Sequence, residues 1–400
     1  LVKLLGIGTV LIMAGASVSL VGGISFLGLI VPHSVRLIVG ADYRRILPAS
    51  ALMGAILLVL ADVAARMLYA PFDTPVGAMA KERSCFMTRK RQSFVLVILL
   101  AAIFAAVFLS LHMGYSSLSI VLMKIRLPRI ILALLCGMGL SLSGCILQAV
   151  TENPLADPGI LGINAGAGFM VMLFLTLFSS LHVKTMLYQP LFAMAGGLLA
   201  ALLLYRFSKR NGKIRPAYLL LGGIGVSAGF SSLMLIMSSN MENSSYQLVA
   251  RWLSGNIWGT SWHQVKSLLP YLLVLVPLLY IRANVLDLFS LGEEAAGALG
   301  VSVEKERKVF LLAAVGLAAS CVSVSGGIGF VGLVAPHIAR QFIGARHRLL
   351  LLASMLTGGL LLLLADTVGR CLLPSVEIPV GIVISILAAP YFLYLLGKQI

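Results

Sequence analysis

The sequence predicts an all-α polytopic membrane protein, and three observations predict it. Of the 400 residues, 60% are hydrophobic and only 11% are charged, with a mean hydropathy of +1.02; a soluble domain carries about 25% charged residues. The apolar residues run in blocks of roughly 20, the length that crosses a bilayer as a helix. Basic residues gather between these blocks, as the positive-inside rule requires of cytoplasmic loops. Together these exclude a soluble enzyme, a disordered chain and a coiled coil. A membrane barrel would need short alternating strands, whereas these apolar blocks are continuous.

The net charge of +16 follows from the same loop asymmetry. Nucleic-acid binding would need basic residues on one soluble face, and with no soluble domain no nucleic-acid partner is expected. Cys85, Cys136, Cys145, Cys321 and Cys371 lack CxxC spacing. Neither a disulfide framework nor a metal site is expected from them, and those inside apolar runs read as small core residues.

Self-comparison divides the chain. Residues 22–77 (GGISFLGLIVPHSVRLIVG… to LADVAARMLYAPFDTPVG) align without a gap with residues 326–381 (GGIGFVGLVAPHIARQFIG… to LADTVGRCLLPSVEIPVG). The register keeps Pro32 with Pro336, His33 with His337, Arg36 with Arg340, Asp62 with Asp366, Arg66 with Arg370 and Pro75 with Pro379. Apolar composition alone does not align polar residues in this way, so the two segments are homologous ends of two units.

The elements then follow in order. Residues 1–80 are the C-terminal remnant of a first unit, with membrane helices at about 4–21, 24–40 and 46–68. Residues 81–92 form a basic cytoplasmic linker through Lys81, Arg83, Arg89, Lys90 and Arg91. Residues 93–400 form a complete second unit. Its ten spans fall at about 93–111, 129–149, 159–178, 190–206, 216–239, 264–282, 308–325, 328–343, 349–369 and 379–397. This count puts Arg206, Lys209, Arg210, Lys213 and Arg215 inside, with Arg346 and Arg348. Trp252, Trp258 and Trp262 fall in an outer segment, where tryptophan suits the interface. The first unit breaks the pattern, because AMAKERSCFMTRKRQ after its PVG cannot cross a membrane. One helix is absent there. A truncated and internally deleted or frameshifted form of a longer two-unit protein is expected.

Residues 124–168 read KIRLPRIILALLCGMGLSLSGCILQAVTENPLADPGILGINAGAG. Gly137, Gly139, Ser141, Ser143 and Gly144 put small residues along one span, which permits close helix contact. A polar NPLADP loop follows, and LGEEAAGALGV at 291–301 lies in a cytoplasmic stretch. With the GFxGLxxPH run and the LAD…R…PVG end, these motifs resemble the FecCD-like permeases of ABC importers for iron–siderophore, haem and vitamin B12. The likeness spans the second unit and the fragment, and two fused units is the arrangement of ferric-hydroxamate permeases.

The resemblance implies a ten-helix ABC importer permease unit preceded by the three-helix tail of a second. It implies a bacterial inner membrane, lipid around the chain, two ATP-binding cassette subunits, and a substrate-binding protein outside. A second permease unit or a self-pair would complete the pathway. The chain itself binds no cofactor; ATP and Mg serve the partner subunit. No GxxxxGK[ST] occurs, so the chain is expected not to be an enzyme. The cargo is ferric siderophore, with iron(III)-hydroxamate first.

Residue by residue, Glu293, Glu294, Ala295, Ala296, Gly297 and Gly300 match the coupling helix that docks on the ATPase; an ordinary solvated loop is the alternative. Arg126, Arg129 and Arg370, with Arg66 as first-unit counterpart, match arginines that meet acidic residues of the binding protein; contact with lipid headgroups is the alternative. Asn153, Pro216, Ala217, Ser227 and Ser231 are pathway or gate candidates, against turn formation and tight helix packing. Asp62 and Asp366 each precede an arginine by one helical turn, which favours intrahelical pairs with Arg66 and Arg370. His33 and His337 are expected to bond a neighbouring helix rather than hold a metal. Two other readings stand beside transport by an ABC permease: an ion-coupled secondary transporter, for which repeats and membrane carboxylates are also common, and a non-functional remnant.

Overall fold

A computed structural model describes residues 48–51, 89–112, 122–178, 185–210, 213–214, 216–239, 241, 243–289, 293–372 and 377–399. The chain divides into two compact units, residues 1–81 with 393–400, and residues 82–392. In the first, residues 48–51 are helical and 393–399 end the last helix. The remaining residues of its three predicted helices, with His33, Asp62 and Arg66, lie outside the described residues.

The second unit is built of helices: α1 (Arg89–His112), a π-turn (Leu122–Arg126), α2 (Leu127–Val150), α3 (Ile163–Leu177) and α4 (Thr185–Ser208). A two-residue antiparallel ribbon, β1 (Lys209–Arg210) with β2 (Lys213–Ile214), leads to α5 (Pro216–Ser238). Then come α6 (Asn243–Leu253), α7 (Trp262–Ile281), α8 (Ala283–Phe289), α9 (Glu293–Ala298), α10 (Val303–Ser325), α11 (Val331–Ile343) and α12 (His347–Cys371). The last helix is α13 (Val380–Gln399). Local chemistry accounts for several starts. Pro128 opens α2, where its missing N–H costs nothing. Ser261 and Gln264 form a capping box on α7. Glu304 and Glu306 sit in the first turn of α10, where the helix dipole favours acid.

Among the described residues a helix lies at each of the ten predicted positions. Among the described residues, seven are long and apolar enough to cross a membrane: α1, α2, α4, α5, α7, α10 and α12. With 15 and 13 residues, α3 and α11 are shorter than the roughly 20 a crossing needs. Each starts later than expected because the residue before it sits in the left-handed region: Gly162 at φ 83° and Phe330 at φ 66°. Irregular backbone at such places survives where protein covers it. Here Asn164 Nδ2 donates to the Ile328 carbonyl at 3.3 Å, and Gly327 N to the Trp252 carbonyl at 3.1 Å.

The centre of this unit is α2, packed by α7, α10, α11 and α12. The predicted small-residue stripe makes those contacts. Gly137 faces the backbone of Gly358, and Gly144 that of Gly332, so closely that neither has room for a methyl group. Ser141 Oγ donates to the Ser354 carbonyl, and Ser143 Oγ to the Ala314 carbonyl at 2.6 Å. Cys136, Cys145 and Cys321 are buried in this core.

Candidate functional site

Three helix ends meet on the side that the charge pattern puts outside. The last carbonyls of a helix have no partner within it. Two of those of α1 are taken by arginines: Arg126 Nη1 donates to Leu111 O at 2.9 Å, and Arg370 Nη2 donates to Ser110 O at 2.9 Å and to its Oγ at 3.0 Å. Beside them Arg129 grips Asp366 through Nε and Nη2, at 2.8 to 3.1 Å, and sends Nη1 to Glu377 at 2.8 Å. Asp366 is 2% exposed and the Glu377 side chain 39%. A buried charge pair is tolerable when each oxygen and N–H finds a partner, and here the guanidinium fork meets both carboxylate oxygens.

This corrects the expected Asp366–Arg370 pair. The partner of Asp366 is Arg129 of α2, because Arg370 is drawn to the carbonyl end of α1. Arg126, Arg129 and Arg370 do come together at one end of the unit; Arg66 lies outside the described residues.

The pathway candidates sit on two elements. Asn153 Oδ1 accepts from Leu155 N at 2.8 Å, and Asp157 Oδ2 from Gly159 N at 2.8 Å, two Asx turns in succession. The loop is folded inward rather than solvated: Ala156, Asp157 and Leu161 are buried. On α5, Gly223 packs on Ile160 and Leu161, whereas Gly225 and Gly229 face open space. Ser227 is half-buried and Ser231 exposed on that helix. Pro216 and Ala217 form its first turn.

Burial pushes the Asp157 carboxyl up to about 6, although backbone hydrogen bonds from Gly159 and Phe330 oppose the rise. Its ordinary value is 3.8, so the folded state favours the protonated form. The stability this contributes is full below 3.8 and lost as pH rises through about 6. At about 1.4 kcal/mol per tenfold change in proton affinity, the difference is roughly 3 kcal/mol. Asp157→Asn should therefore flatten the dependence of Tm on pH across that window; a slope equal to the parent's would refute the assignment.

At the opposite end, α8, α9 and the start of α10 form a short helical turn-back. Glu293, Glu294 and Ala295 make the first turn of α9, Ala296 is buried, and Gly297 is exposed with open space around it. Gly300 closes the helix at φ 84°, with Gly300 N on Gly297 O and Val301 N on Ala296 O. That is a Schellman ending, which needs a left-handed residue. Nearby, Arg282 pairs with Glu306 at 3.0 Å and Arg307 with Glu152 at 3.5 Å. His347 Nδ1 lies 2.7 Å from Asp287 Oδ1. The hydrogen bonds and charge of His347, with Arg346, hold the Asp287 carboxyl below its usual range although burial works the other way. His337 meets Tyr391 edge-on at 5.8 Å.

The model of the FecCD transport family matches residues 1–81 and 93–398. The chain belongs to the FecCD transport family. Similar relatives include the iron(3+)-hydroxamate import system permease protein FhuG of Bacillus subtilis, 48% identical over 70% of this chain and 84% of that protein. The Fe(3+)-citrate import system permease protein YfmE of Bacillus subtilis is 40% identical over 77% of this chain and 97% of its own length. The solved structure of an inward-facing metal-chelate type ABC transporter aligns with a TM-score of 0.70 at 31% identity, covering 76% of this chain and 99% of that one.

In this FecCD chain some site residues escaped sequence reasoning. Ser110 and Asp287 carry no local signal; their partners lie 260 and 60 residues away. Glu377 did carry one, since it opens the repeated acidic-x-PVG ending that Asp73 begins in the other segment.

Proposed function

We propose that this chain is the permease subunit of an ABC importer that passes ferric siderophore, iron(III)-hydroxamate first, from a binding protein outside to the cytoplasm across a bacterial inner membrane. The 48% identity to a hydroxamate permease carries the choice of cargo. Two partner ATPase subunits supply the ATP and Mg chemistry, and α9 is the element that meets them. The siderophore supplies the iron ligands, so the chain holds no metal or cofactor of its own. The Asn153 loop and the Ser227–Ser231 face of α5 line the pathway or its gate, with Pro216 and Ala217 at its inner mouth. Residues 1–80 are read as the end of a first unit, supported by the internal repeat; a separate permease unit or another copy of this chain completes the pathway.

The arginine cluster is the docking place for acidic residues of the binding protein. Arg126 and Arg129 are buried and bonded within the unit, so the half-buried Arg370 is the charge left to meet a partner; Arg370→Glu, which replaces attraction by repulsion, should weaken association about tenfold. Surface-immobilised permease titrated with binding protein measures this, and unchanged affinity would end the docking role. For the cargo, proteoliposomes holding the permease with its ATPase are supplied with binding protein and ATP. Faster uptake of ferric hydroxamate than of ferric citrate or haem is expected; equal or reversed preference would reject the hydroxamate assignment.

A further inference from the structure

The inner end of α12 is capped by another helix. Arg346 precedes it, and its side chain makes no capping bond. The acceptor comes from α8: Asp287 Oδ1 accepts the His347 backbone N–H at 2.8 Å and the same oxygen holds the His347 imidazole at 2.7 Å. A carboxylate at a helix N-terminus satisfies an orphan donor and suits the dipole. The imidazole is buried, and among the described residues its Nε2 has no hydrogen-bond partner, which leaves Nδ1 as its polar anchor there. Hydrogen bonds are directional and weaken steeply when bent.

Both ends of this connection lead to sites already described. On one side α8 packs against α9. On the other, α12 runs for 25 residues, about 37 Å at 1.5 Å each. Its far end carries Asp366, held by Arg129, and Arg370, held by the end of α1.

We propose that Asp287 and His347 are positioning residues that tie the α8–α9 pair to α12, so that displacement of α9 reaches the arginine cluster through a single rigid helix. The inference rests on the reading of α9 as the ATPase contact. A helix pair held by packing alone would slide; one held by a shared carboxylate moves with the helix it caps.

The experiment uses the full chain assembled with its ATPase and binding protein in liposomes. Co-purified ATPase, basal ATP hydrolysis and its stimulation by binding protein loaded with ferric hydroxamate are measured. Asp287→Ala is expected to keep the ATPase bound and basal hydrolysis intact while stimulation falls about tenfold. Asp287→Asn keeps an acceptor oxygen and should restore most of it, whereas Asp287→Leu, of similar bulk but with no acceptor, should not. Full stimulation in Asp287→Ala, or no recovery in Asp287→Asn, overturns the proposal. If Asp287→Ala does not assemble, His347→Phe decides: it keeps the backbone cap but loses the imidazole bond, and stimulation must fall several-fold. Glu294→Arg tests the underlying reading. Release of the ATPase is expected there. Retained, fully stimulated ATPase overturns the role of α9 and this inference with it, whereas release alongside an unaltered Asp287→Ala overturns the tether alone.

Discussion

Asp366→Ala will lose roughly 3–5 kcal/mol of stability, the cost of stranding one partner of a buried ion pair. The Arg129 guanidinium would keep only its Nη1 contact with Glu377, while Nε and Nη2 would face a methyl group in a site with little water. Arg129→Met alone should be equally damaging, because it leaves Asp366 charged and buried. The double variant Arg129→Met, Asp366→Leu should recover most of the loss, since a well-packed apolar replacement of a buried pair is often neutral. Thermal unfolding in detergent of the parent, both single variants and the double closes the cycle. Additive losses would show that the two residues do not act as a pair.

Gly144→Leu will fail to give folded protein, and Gly144→Ala will already cost about 3 kcal/mol, the upper end for overpacking. The obstacle is the carbonyl group of Gly332, which belongs to the backbone and cannot rotate away as a side chain would. To accept even a methyl, α2 and α11 must separate, which also breaks the bond from Gln148 Nε2 to Gly332 O at 3.2 Å. Gly229→Ala is the matched control. That position also lies in a helix but has open space about it, so the change should be neutral or stabilising, by at most about 1 kcal/mol. Helix propensity favours Ala at both positions, so comparable effects at the two would show that the contact with Gly332 does not govern Gly144.

Much of the fold was legible because membrane helices announce themselves by composition, and the small residues of α2 announced its packing by their spacing. The positions of the ten helices needed only runs of apolar residues and the placing of Lys and Arg. What stayed hidden depends on long-range geometry or backbone conformation. Nothing near Asp366 indicates that its partner is 237 residues away, and an arginine one turn along the same helix is the natural guess. The left-handed Phe330 that shortens α11 is not a residue expected to adopt that conformation. Arg126, Arg129 and Arg370 were visible through the family motifs, whereas the grip of Arg126 and Arg370 on the end of α1 was not. Turn formation at Asn153 was legible from its residue types, whereas the inward folding of the loop, which its Asx turns allow by satisfying its polarity internally, was not.

The central position of α2 has a consequence for the order of manufacture. Helices α7, α10, α11 and α12, on which its glycines and serines rest, all emerge later from the ribosome. Between Val150 and Cys371 lie roughly 220 residues, so at about 5–20 residues per second α2 waits some 10–40 seconds for its full set of neighbours. During that interval its polar serines and Gln148 meet only lipid or the insertion machinery, which must shelter them. A nascent chain stalled before α10 would display that stripe to the bilayer, a mark by which membrane quality-control proteases could recognise unfinished product.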